Sequence, residues 1–214
     1  MQIVLIGPPG AGKGTIGERL AAKYGLTHLS TGDILRTAIA QGTELGEKAD
    51  VYVAVGHLVP QEILGEVVAE ELAGEKRFVL DGYPRTIEQA EFLAGLPFVK
   101  LDAVVYIALP EEEMARRLAG RLVCRHCGAV TNGEIGEAVC GRCGAEGLVP
   151  RTDDRPGTLQ ARYDIYQRET APVVEYYRAA GLLREVDGTA SRDEVFARVE
   201  AALQPLVACG DDNG

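Results

Sequence analysis

The chain has 214 residues, of which 46% are apolar and 25% are charged, a composition typical of one compact globular domain with small insertions. The formal net charge of -10 and the absence of Trp argue against nucleic acid as a partner, because phosphate backbones attract basic surfaces and single strands stack on aromatic side chains. No apolar run reaches the roughly 20 residues of a membrane span, and the opening MQIVLIGPPG lacks the basic start of a signal peptide. We therefore expect a cytoplasmic protein that contacts no membrane, and nothing in the sequence demands a second subunit, so we expect a monomer.

Short apolar runs alternate with helical periodicity along most of the chain. Strands are predicted at 2–6, 27–30, 78–81, 103–108 and 182–186, and helices at 12–24, 32–41, 61–73, 86–94, 111–119, 158–180 and 192–203. This alternation predicts an α/β fold with a doubly wound, parallel five-stranded sheet. Pro172 lies within the long helix and is expected to kink it.

Two stretches depart from the strand-helix alternation. Residues 31–60 have helical periodicity with no strand between, and residues 123–154 are rich in Gly and Cys with almost no helical period. We interpret both as insertions that can move. The predicted domains are a core of residues 1–30, 61–121 and 155–214, a helical insertion at 31–60 and a second insertion at 122–154.

The run GPPGAGKGT from Gly7 to Thr15 follows a predicted strand and begins a predicted helix. In that context its glycines let backbone N–H groups surround phosphates, the helix N-terminus adds positive potential, and Lys13 adds a point charge. The alternative, a Gly-rich turn with a surface lysine, does not explain this order of elements. Gly14, where the general P-loop has Ser or Thr, argues against a switch GTPase or a motor, and this variant resembles the P-loop of nucleoside monophosphate kinases.

Three further segments resemble the adenylate kinase family: STGDILR at 30–36, GHLVP at 56–60 and DGYPRT at 81–86. The resemblance implies that Arg36 and Arg85 bind the phosphate of AMP and that Gly82 lets the chain pass close to it. The full AMP site implied in this way comprises Thr31, Arg36, His57, Leu58, Val59, Gly82, Tyr83, Pro84, Arg85, Gln89, Arg151 and Arg162.

Three polar residues in or near these segments have a physical reason for their implied roles. The amide of Gln89 can both donate to and accept from a base edge, although a solvated helix glutamine is the alternative. Asp81 ends an apolar strand, where a carboxylate suits water-mediated contact with Mg²⁺. Asp33 has the same implied role, and its alternative is a carboxylate that interacts with a helix dipole.

Phosphoryl transfer needs cations around spreading negative charge and no protein nucleophile, so clustered arginines are the expected signal. Arg117 and Arg121 lie four residues apart on one helix, and Arg151 and Arg162 follow; scattered surface arginines are the alternative. The resemblance implies that Arg117 packs on adenine and that the other three surround the phosphates. We expect Asp153 and Asp154 to pair with arginines on closure and not to act as acid–base catalysts. The implied ATP site is Gly10, Ala11, Gly12, Lys13, Gly14, Thr15, Arg117, Arg121, Val130, Thr131 and Ala190, and the implied catalytic set is Lys13, Arg85, Arg121, Arg151 and Arg162.

The cysteines form two C-x-x-C-G knuckles, Cys124/Cys127 and Cys140/Cys143. Four thiolates make a closed tetrahedral site, which predicts structural zinc in a lid too small to fold on a core of its own. A disulfide pair or an iron-loaded site is the alternative. His126 is expected to be exposed between the knuckles, with a role as substitute ligand as its alternative. Arg125, Arg142 and Arg155 are expected to be solvated, and Cys209 is expected to be no ligand.

The resemblance extends from Gln2 to about Leu203 and implies the reaction MgATP + AMP ⇌ 2 ADP, which serves adenine nucleotide homeostasis. The partners it implies are ATP, AMP and ADP, with Mg²⁺ on ATP and a structural Zn²⁺. A kinase of the same fold with GTP as donor or a pyrimidine acceptor is the nearest rival. A zinc-ribbon nucleic-acid binder with an ATPase core is opposed by the charge of -10, and a regulatory switch is opposed by Gly14.

Overall fold

The computed structural model describes residues 1–132, 139–151, 154 and 156–208. In chain order its elements are β1 (Gln2–Ile6), α1 (Lys13–Tyr24), β2 (Thr27–Ser30), α2 (Thr31–Gln41), α3 (Glu44–Val53), α4 (Gln61–Leu72), β3 (Phe78–Asp81), α5 (Ile87–Gly95), β4 (Ala103–Ala108), α6 (Glu111–Ala119), β5 (Arg121–Cys124), β6 (Val130–Asn132), β7 (Leu148–Pro150), α7 (Pro156–Ile165), a π-helical turn (Tyr166–Thr170), α8 (Ala171–Ala179), β8 (Leu183–Asp187) and α9 (Arg192–Ala208). Among these described helices, none has both the length and the apolar character that crossing a bilayer requires.

The core is a five-stranded sheet in the order β2-β3-β1-β4-β8, and every pairing in it is parallel. All five residues of β1 are buried, because helices cover both faces of the sheet. Ile3 and Leu5 pack with α1, α6 and α9 on one face, while Val4 and Ile6 pack with α4, α5 and α8 on the other. The predicted fold class is therefore confirmed.

The carboxyl ends of three strands bring the sequence motifs together. Asp81 at the end of β3 is in register with Leu5 of β1 and with Ser30 of β2. The Gly-rich loop leaves β1 at this edge, and α2 begins directly after β2. In open parallel sheets the crevice beyond this edge is the usual place for a ligand.

The helical insertion consists of α2 and α3, packed at very short range. A Cβ atom built on Gly46 of α3 would lie 2.2 Å from the carbonyl oxygen of Ala38 in α2, so only glycine permits this approach. The sequence predicted the helical character of 31–60 but no bounds for α3.

The second insertion is a small antiparallel sheet in the order β6-β5-β7. It has a hydrophobic cluster of its own, formed by Leu122, Cys124, Cys140 and Leu148. None of its three strands was predicted, because they lie in or beside a Gly- and Cys-rich stretch and show little of the alternation on which strand prediction depends.

The predicted helix 158–180 is wrong as a single helix. It is divided into α7, the π-helical turn and α8, with Pro172 in the first turn of α8. Proline has no N–H for the preceding turn and its ring would crowd that turn's carbonyl, so the wider turn accommodates it. The last strand is one residue later than predicted, at Leu183–Asp187, and the last helix continues past residue 203 to Ala208.

Candidate functional site

The Gly-rich loop is shaped by close backbone contacts. A Cβ atom on Gly7 would lie 2.6 Å from the carbonyl oxygen of Ile107 in β4, so the loop can lie against the sheet only with glycine there. Gly12 has φ 86° as the residue that precedes α1, a conformation that glycine adopts without strain. Lys13 reaches back across the loop, and its Nζ donates to the carbonyl oxygens of Gly7 at 2.8 Å and Pro8 at 3.0 Å.

The ammonium group of Lys13 lies in a strongly electrostatic environment. Burial is the largest cause that lowers its pKa, from an ordinary 10.5 to about 8. The carboxylate of Asp81 opposes that shift, and the charges of Arg85, Arg162 and Arg121 add to it. An entering phosphate would therefore meet a site with surplus positive charge and would favour the protonated lysine.

Three cavities share lining residues at this site, and two of them open on the loop itself. The P-loop cavity is central, and it is lined by Lys13, Gly14, Thr15, Asp33, Arg36, Asp81, Arg85, Arg121, Arg151 and Arg162, among others. The α9 cavity lies on the side of the C-terminal helix, and the α2 cavity lies on the side of the helical insertion. The six predicted phosphate-site groups Lys13, Arg36, Arg85, Arg121, Arg151 and Arg162 all line the P-loop cavity, so they are one cluster and the alternative of scattered surface arginines is wrong.

The α9 cavity contains most of the residues predicted on the ATP side: Gly10, Ala11, Gly12, Thr15, Arg117, Arg121, Val130 and Ala190. Arg117 joins α6 to the turn after β8, because its NH2 donates to the carbonyl oxygens of Gly188 at 2.7 Å and Ala190 at 3.3 Å. Its Nε donates to Glu113 at 2.7 Å. Thr131 pairs with Leu122 between β6 and β5 and is not among the residues that line the α9 cavity.

The α2 cavity contains most of the residues predicted on the AMP side: Thr31, Arg36, His57, Leu58, Val59, Gly82, Arg85, Gln89, Arg151 and Arg162. Gly82 has φ 84°, and a Cβ atom there would lie 2.7 Å from Oγ1 of Thr31. Tyr83 is fully buried and its hydroxyl donates to Gln61 at 2.8 Å, so its side chain is part of the core. Pro84, which follows a cis peptide bond, lines an adjoining pocket with Lys13 and Arg85.

Gln89 is a built part of the α2 cavity. Its side chain is only 2% exposed, so the alternative of a solvated helix glutamine is wrong. Its Oε1 accepts from the backbone N–H of Arg85 at 2.8 Å, and its Nε2 donates to the carbonyl oxygen of Val59 at 3.4 Å. An amide nitrogen has two hydrogens, so one remains to donate to a ligand while the protein fixes the orientation of the group.

Asp154 pairs with arginines from two different elements, β5 and α7. Its carboxylate accepts from Nε and NH2 of Arg121, both at 2.5 Å, and from NH1 of Arg162 at 2.6 Å. The pKa of Arg121 is lowered, chiefly by burial and also by the charge of Arg151, while its hydrogen bonds to the carboxylate of Asp154 oppose that shift. The predicted pairing of Asp154 with arginines is confirmed, whereas Asp153 and Arg155 lie outside the described residues.

The two carboxylates predicted for magnesium have different surroundings. Asp33 lies in the first turn of α2 beside Ser30, which caps the helix, and it pairs with Arg36 at 2.5 Å. Burial opposes ionisation of Asp33, but Arg36, Ser30 and Arg151 outweigh it and lower the pKa of that carboxyl. Asp81 faces the P-loop cavity, and a Cβ atom on Gly14 would lie 3.4 Å from its Oδ2. A carboxylate in such a cavity suits a hard, hydrated cation.

The four knuckle cysteines form one cluster. Their Sγ atoms all lie within 4.8 Å of one another, with 3.7 Å between Cys124 and Cys143 and 3.6 Å between Cys127 and Cys140. Zn–S bonds of about 2.3 Å in a tetrahedron place sulfurs about 3.8 Å apart, so the thiols fit zinc. These distances are far longer than a disulfide bond of about 2.05 Å, so the disulfide alternative is not what the thiols form here.

The two knuckles have the same backbone. Gly128 and Gly144 each donate to the carbonyl oxygen of the first cysteine, at 3.0 Å and 2.8 Å, and both have φ near 70°. His126 is exposed and outside the thiol cluster, as expected. Cys209 lies outside the described residues.

Sequence reasoning missed some of the residues that line the cavities. Arg116, Ser191 and Arg192 line the α9 cavity, and Glu18 and Arg142 line the P-loop cavity. Arg142 lies within the second cysteine knuckle, and the other four residues belong to no motif in the sequence. Only the packing of α6, α9 and the lid around the loop could have revealed them.

Comparison with known proteins gives a consistent result along nearly the whole chain. The model of the adenylate kinase family matches residues 5–182. The chain is 44% identical to an adenylate kinase of Archaeoglobus fulgidus, over 96% of this chain and 99% of that protein. It is 45% identical to an adenylate kinase of Carboxydothermus hydrogenoformans, over 95% and 100%, and 41% identical to one of Rhizobium etli, over 96% and 100%.

Proposed function

Because the chain belongs to the adenylate kinase family, we propose that it transfers the γ-phosphoryl group of MgATP to AMP and so forms two molecules of ADP. The observation that carries this proposal is that the α9 cavity and the α2 cavity each share lining residues with the P-loop cavity, Gly12 and Arg121 on the first side and Arg36 and Arg85 on the second. Two nucleotides bound in them would have their phosphates adjacent in the P-loop cavity. Such an arrangement favours direct transfer, because it makes the reaction of two substrates effectively intramolecular.

The α9 cavity is the proposed donor site. Arg117 is held by Glu113 and by the carbonyl groups of the turn after β8, so its planar guanidinium is fixed beside the place for a base, where it can stack. The backbone around Ala190 offers hydrogen-bonding groups to the adenine edge. Val130 and Thr131 would approach the nucleotide from the lid, with Gly10 to Thr15 around its phosphates.

The α2 cavity is the proposed acceptor site. Arg36 and Arg85 would bind the AMP phosphate, and Gln89 would hydrogen-bond the adenine edge with its remaining N–H. Thr31, His57, Leu58, Val59 and Gly82 would line the base and ribose, with the Tyr83–Pro84 backbone completing the wall. An amide whose orientation is already fixed by Arg85 and Val59 discriminates between bases better than a mobile one, because it cannot rotate to suit the wrong base.

Catalysis in this site is electrostatic. Lys13, Arg85, Arg121, Arg151 and Arg162 line the P-loop cavity and would neutralise charge on the equatorial oxygens of the transferred group. No side chain is needed as nucleophile, because an oxygen of AMP attacks. Asp81 and Asp33 would hold Mg²⁺ through water, and the ion supplies charge neutralisation on the ATP phosphates.

We propose three units for this work: a core of residues 1–30, 61–121 and 155–214, an AMP-binding insertion at 31–60 and a zinc lid at 122–154. The separate hydrophobic cluster of the lid supports the last boundary. Lid closure would exclude the water that could otherwise accept the phosphoryl group. Zinc on the four cysteines would be structural, since four protein ligands leave no open position.

One chain provides both cavities, which supports a monomer as the working unit. Lid cysteines arranged for a metal ion rather than for disulfides support a reducing cytoplasm as its location. ATP, AMP and ADP are the proposed partners.

The proposal is tested by a coupled assay of ADP formation with each common donor and acceptor. We expect ATP with AMP to be fastest, and Lys13→Met to remove nearly all activity. Lys23→Met is the matched control, because Lys23 lies on the same helix but is exposed and pairs with Glu200, so activity should be unchanged. Equal rates with UMP or CMP, or full activity of Lys13→Met, would contradict the proposal.

A further inference from the structure

One ion pair joins the zinc-knuckle lid directly to the phosphate-loop helix. NH1 of Arg142 lies 3.3 Å from Oε1 of Glu18, although the two residues are 124 positions apart. Arg142 belongs to the second knuckle, between Cys140 and Cys143, and Glu18 lies on α1, which begins at Lys13. The sequence predicted Arg142 to be solvated, and both side chains are indeed half exposed, at 57% and 56%, but they are paired.

The second knuckle fixes where Arg142 can point. Cys140 donates to the carbonyl oxygen of Ala145 and Gly144 donates to that of Cys140, both at 2.8 Å. Arg142 therefore projects from a tight turn of the lid, and both it and Glu18 line the P-loop cavity. Arg125 in the first knuckle is also exposed, but among the described residues its side chain makes no ion pair, so the contact is particular to the second knuckle.

We propose that Arg142 is a positioning residue that holds the lid closed over the donor phosphates by pairing with Glu18. This inference rests on the proposed function, because it concerns how readily the lid of that site closes over its nucleotide. The pair spans two units that must separate for a nucleotide to enter, so it contributes to the closed state only. It therefore biases the equilibrium between open and closed lid without touching the reacting atoms.

The size of the effect follows from the exposure of both partners. An exposed ion pair changes an equilibrium constant by about two- to five-fold. Because donor affinity includes lid closure, loss of the pair should raise KM for ATP by about that factor and leave KM for AMP nearly unchanged. The value of kcat should not fall, because a lid that opens more readily does not slow product release.

Single substitutions alone cannot isolate the pair, because each partner also acts on ATP by its own charge. Arg142 attracts the phosphates and Glu18 repels them. The experiment is therefore a double-mutant cycle with Arg142→Gln, Glu18→Gln and the double variant, with Arg125→Gln as the control that removes the same charge from the same lid. The reversed pair, Arg142→Glu with Glu18→Arg, tests whether pairing itself is what matters.

We expect Arg142→Gln to raise KM for ATP about two- to five-fold when Glu18 is present and clearly less in the Glu18→Gln background. The reversed pair should return KM for ATP towards the wild-type value. High salt should bring KM for ATP of wild type and Arg142→Gln closer together, and it should do so more than for wild type and Arg125→Gln. An equal rise of KM in both Glu18 backgrounds would show that Arg142 acts on ATP directly and would overturn the proposal. So would a reversed pair that is worse than either single variant.

Hydrogen exchange of the nucleotide-free protein separates this inference from the proposed function. The lid peptide 121–132 should exchange faster in Arg142→Gln and in Glu18→Gln than in wild type, and it should be unaffected by Arg125→Gln apart from the substituted position. If the wild type failed to form ADP from ATP and AMP, the proposed function would be wrong, but hydrogen exchange would still test whether the ion pair holds the lid closed. Equal exchange in all four proteins would refute the ion pair as a closing contact.

Discussion

Asp154→Asn is the substitution that best tests how charge is balanced at the base of the lid. The carboxylate of Asp154 is only 3% exposed and accepts three hydrogen bonds, two from Arg121 and one from Arg162. An amide of the same shape removes the negative charge and presents N–H groups to guanidinium groups that need acceptors. The variant therefore leaves the guanidinium groups of Arg121 and Arg162 close together without the carboxylate that neutralises them.

The magnitude follows from the burial of the two arginines. Removing one partner of a buried ion pair costs about 3–5 kcal/mol. The side chains of Arg121 and Arg162 are 13% and 16% exposed, so some water reaches them and we expect the lower end, about 3 kcal/mol. For a protein of this size that corresponds to a fall in Tm of about 6–12 °C.

The assay is thermal and chemical denaturation with and without a saturating nucleotide. Nucleotide phosphates would supply the missing negative charge, so the difference between variant and wild type should shrink when ATP is bound. Asp193→Asn is the control, because Asp193 pairs with Arg19 but is 90% exposed, and its loss should cost under about 1 kcal/mol. If Asp154→Asn were as stable as Asp193→Asn, or equally destabilised with ATP, the electrostatic reasoning would be wrong.

Three further predictions concern the phosphate loop, the thiol cluster and the helical insertion. Because the pKa of Lys13 is lowered to about 8 and bound phosphates would raise it, ATP binding at pH 8 should take up about half a proton, and the affinity for ATP should fall as pH rises above 8. Calorimetry in buffers of different ionisation enthalpy measures the proton uptake. Lys13→Met should abolish that uptake. Cys140→Ser should release the zinc that we expect in the wild type and lower Tm, as followed by atomic absorption and a melting curve, and an unchanged metal content would contradict the four-thiolate site. Gly46→Ala would place a Cβ atom 2.2 Å from the carbonyl oxygen of Ala38, so we expect the free energy of unfolding to fall by about 1–3 kcal/mol. Steady-state kinetics should show a raised KM for AMP and an unchanged KM for ATP. Equal changes in both KM values would show that the two insertions are not independent.

Much of this protein could be predicted because its signals are local. Four of the five core strands begin and end at the predicted residues, since each is a short buried run between helical segments. The P-loop and the cysteine knuckles are likewise contiguous motifs, and a tight turn with phosphate or metal chemistry depends on a few neighbouring residues. Pro172 predicted a disturbance of its helix, but a proline does not specify a π-helical turn, because how the freed carbonyl is accommodated depends on what packs around it.

The sequence by itself determined the chemistry that is available: a phosphate-binding loop, a set of arginines and four thiols at metal-binding spacing. Only the tertiary structure decided which of these groups meet, such as Arg121 and Arg162 on one carboxylate of Asp154, Gln89 between Arg85 and Val59, and Arg142 against Glu18. The physical reason is that contacts between distant residues depend on the register of the sheet and the packing of helices on it. That information belongs to the whole chain, and no short segment contains it.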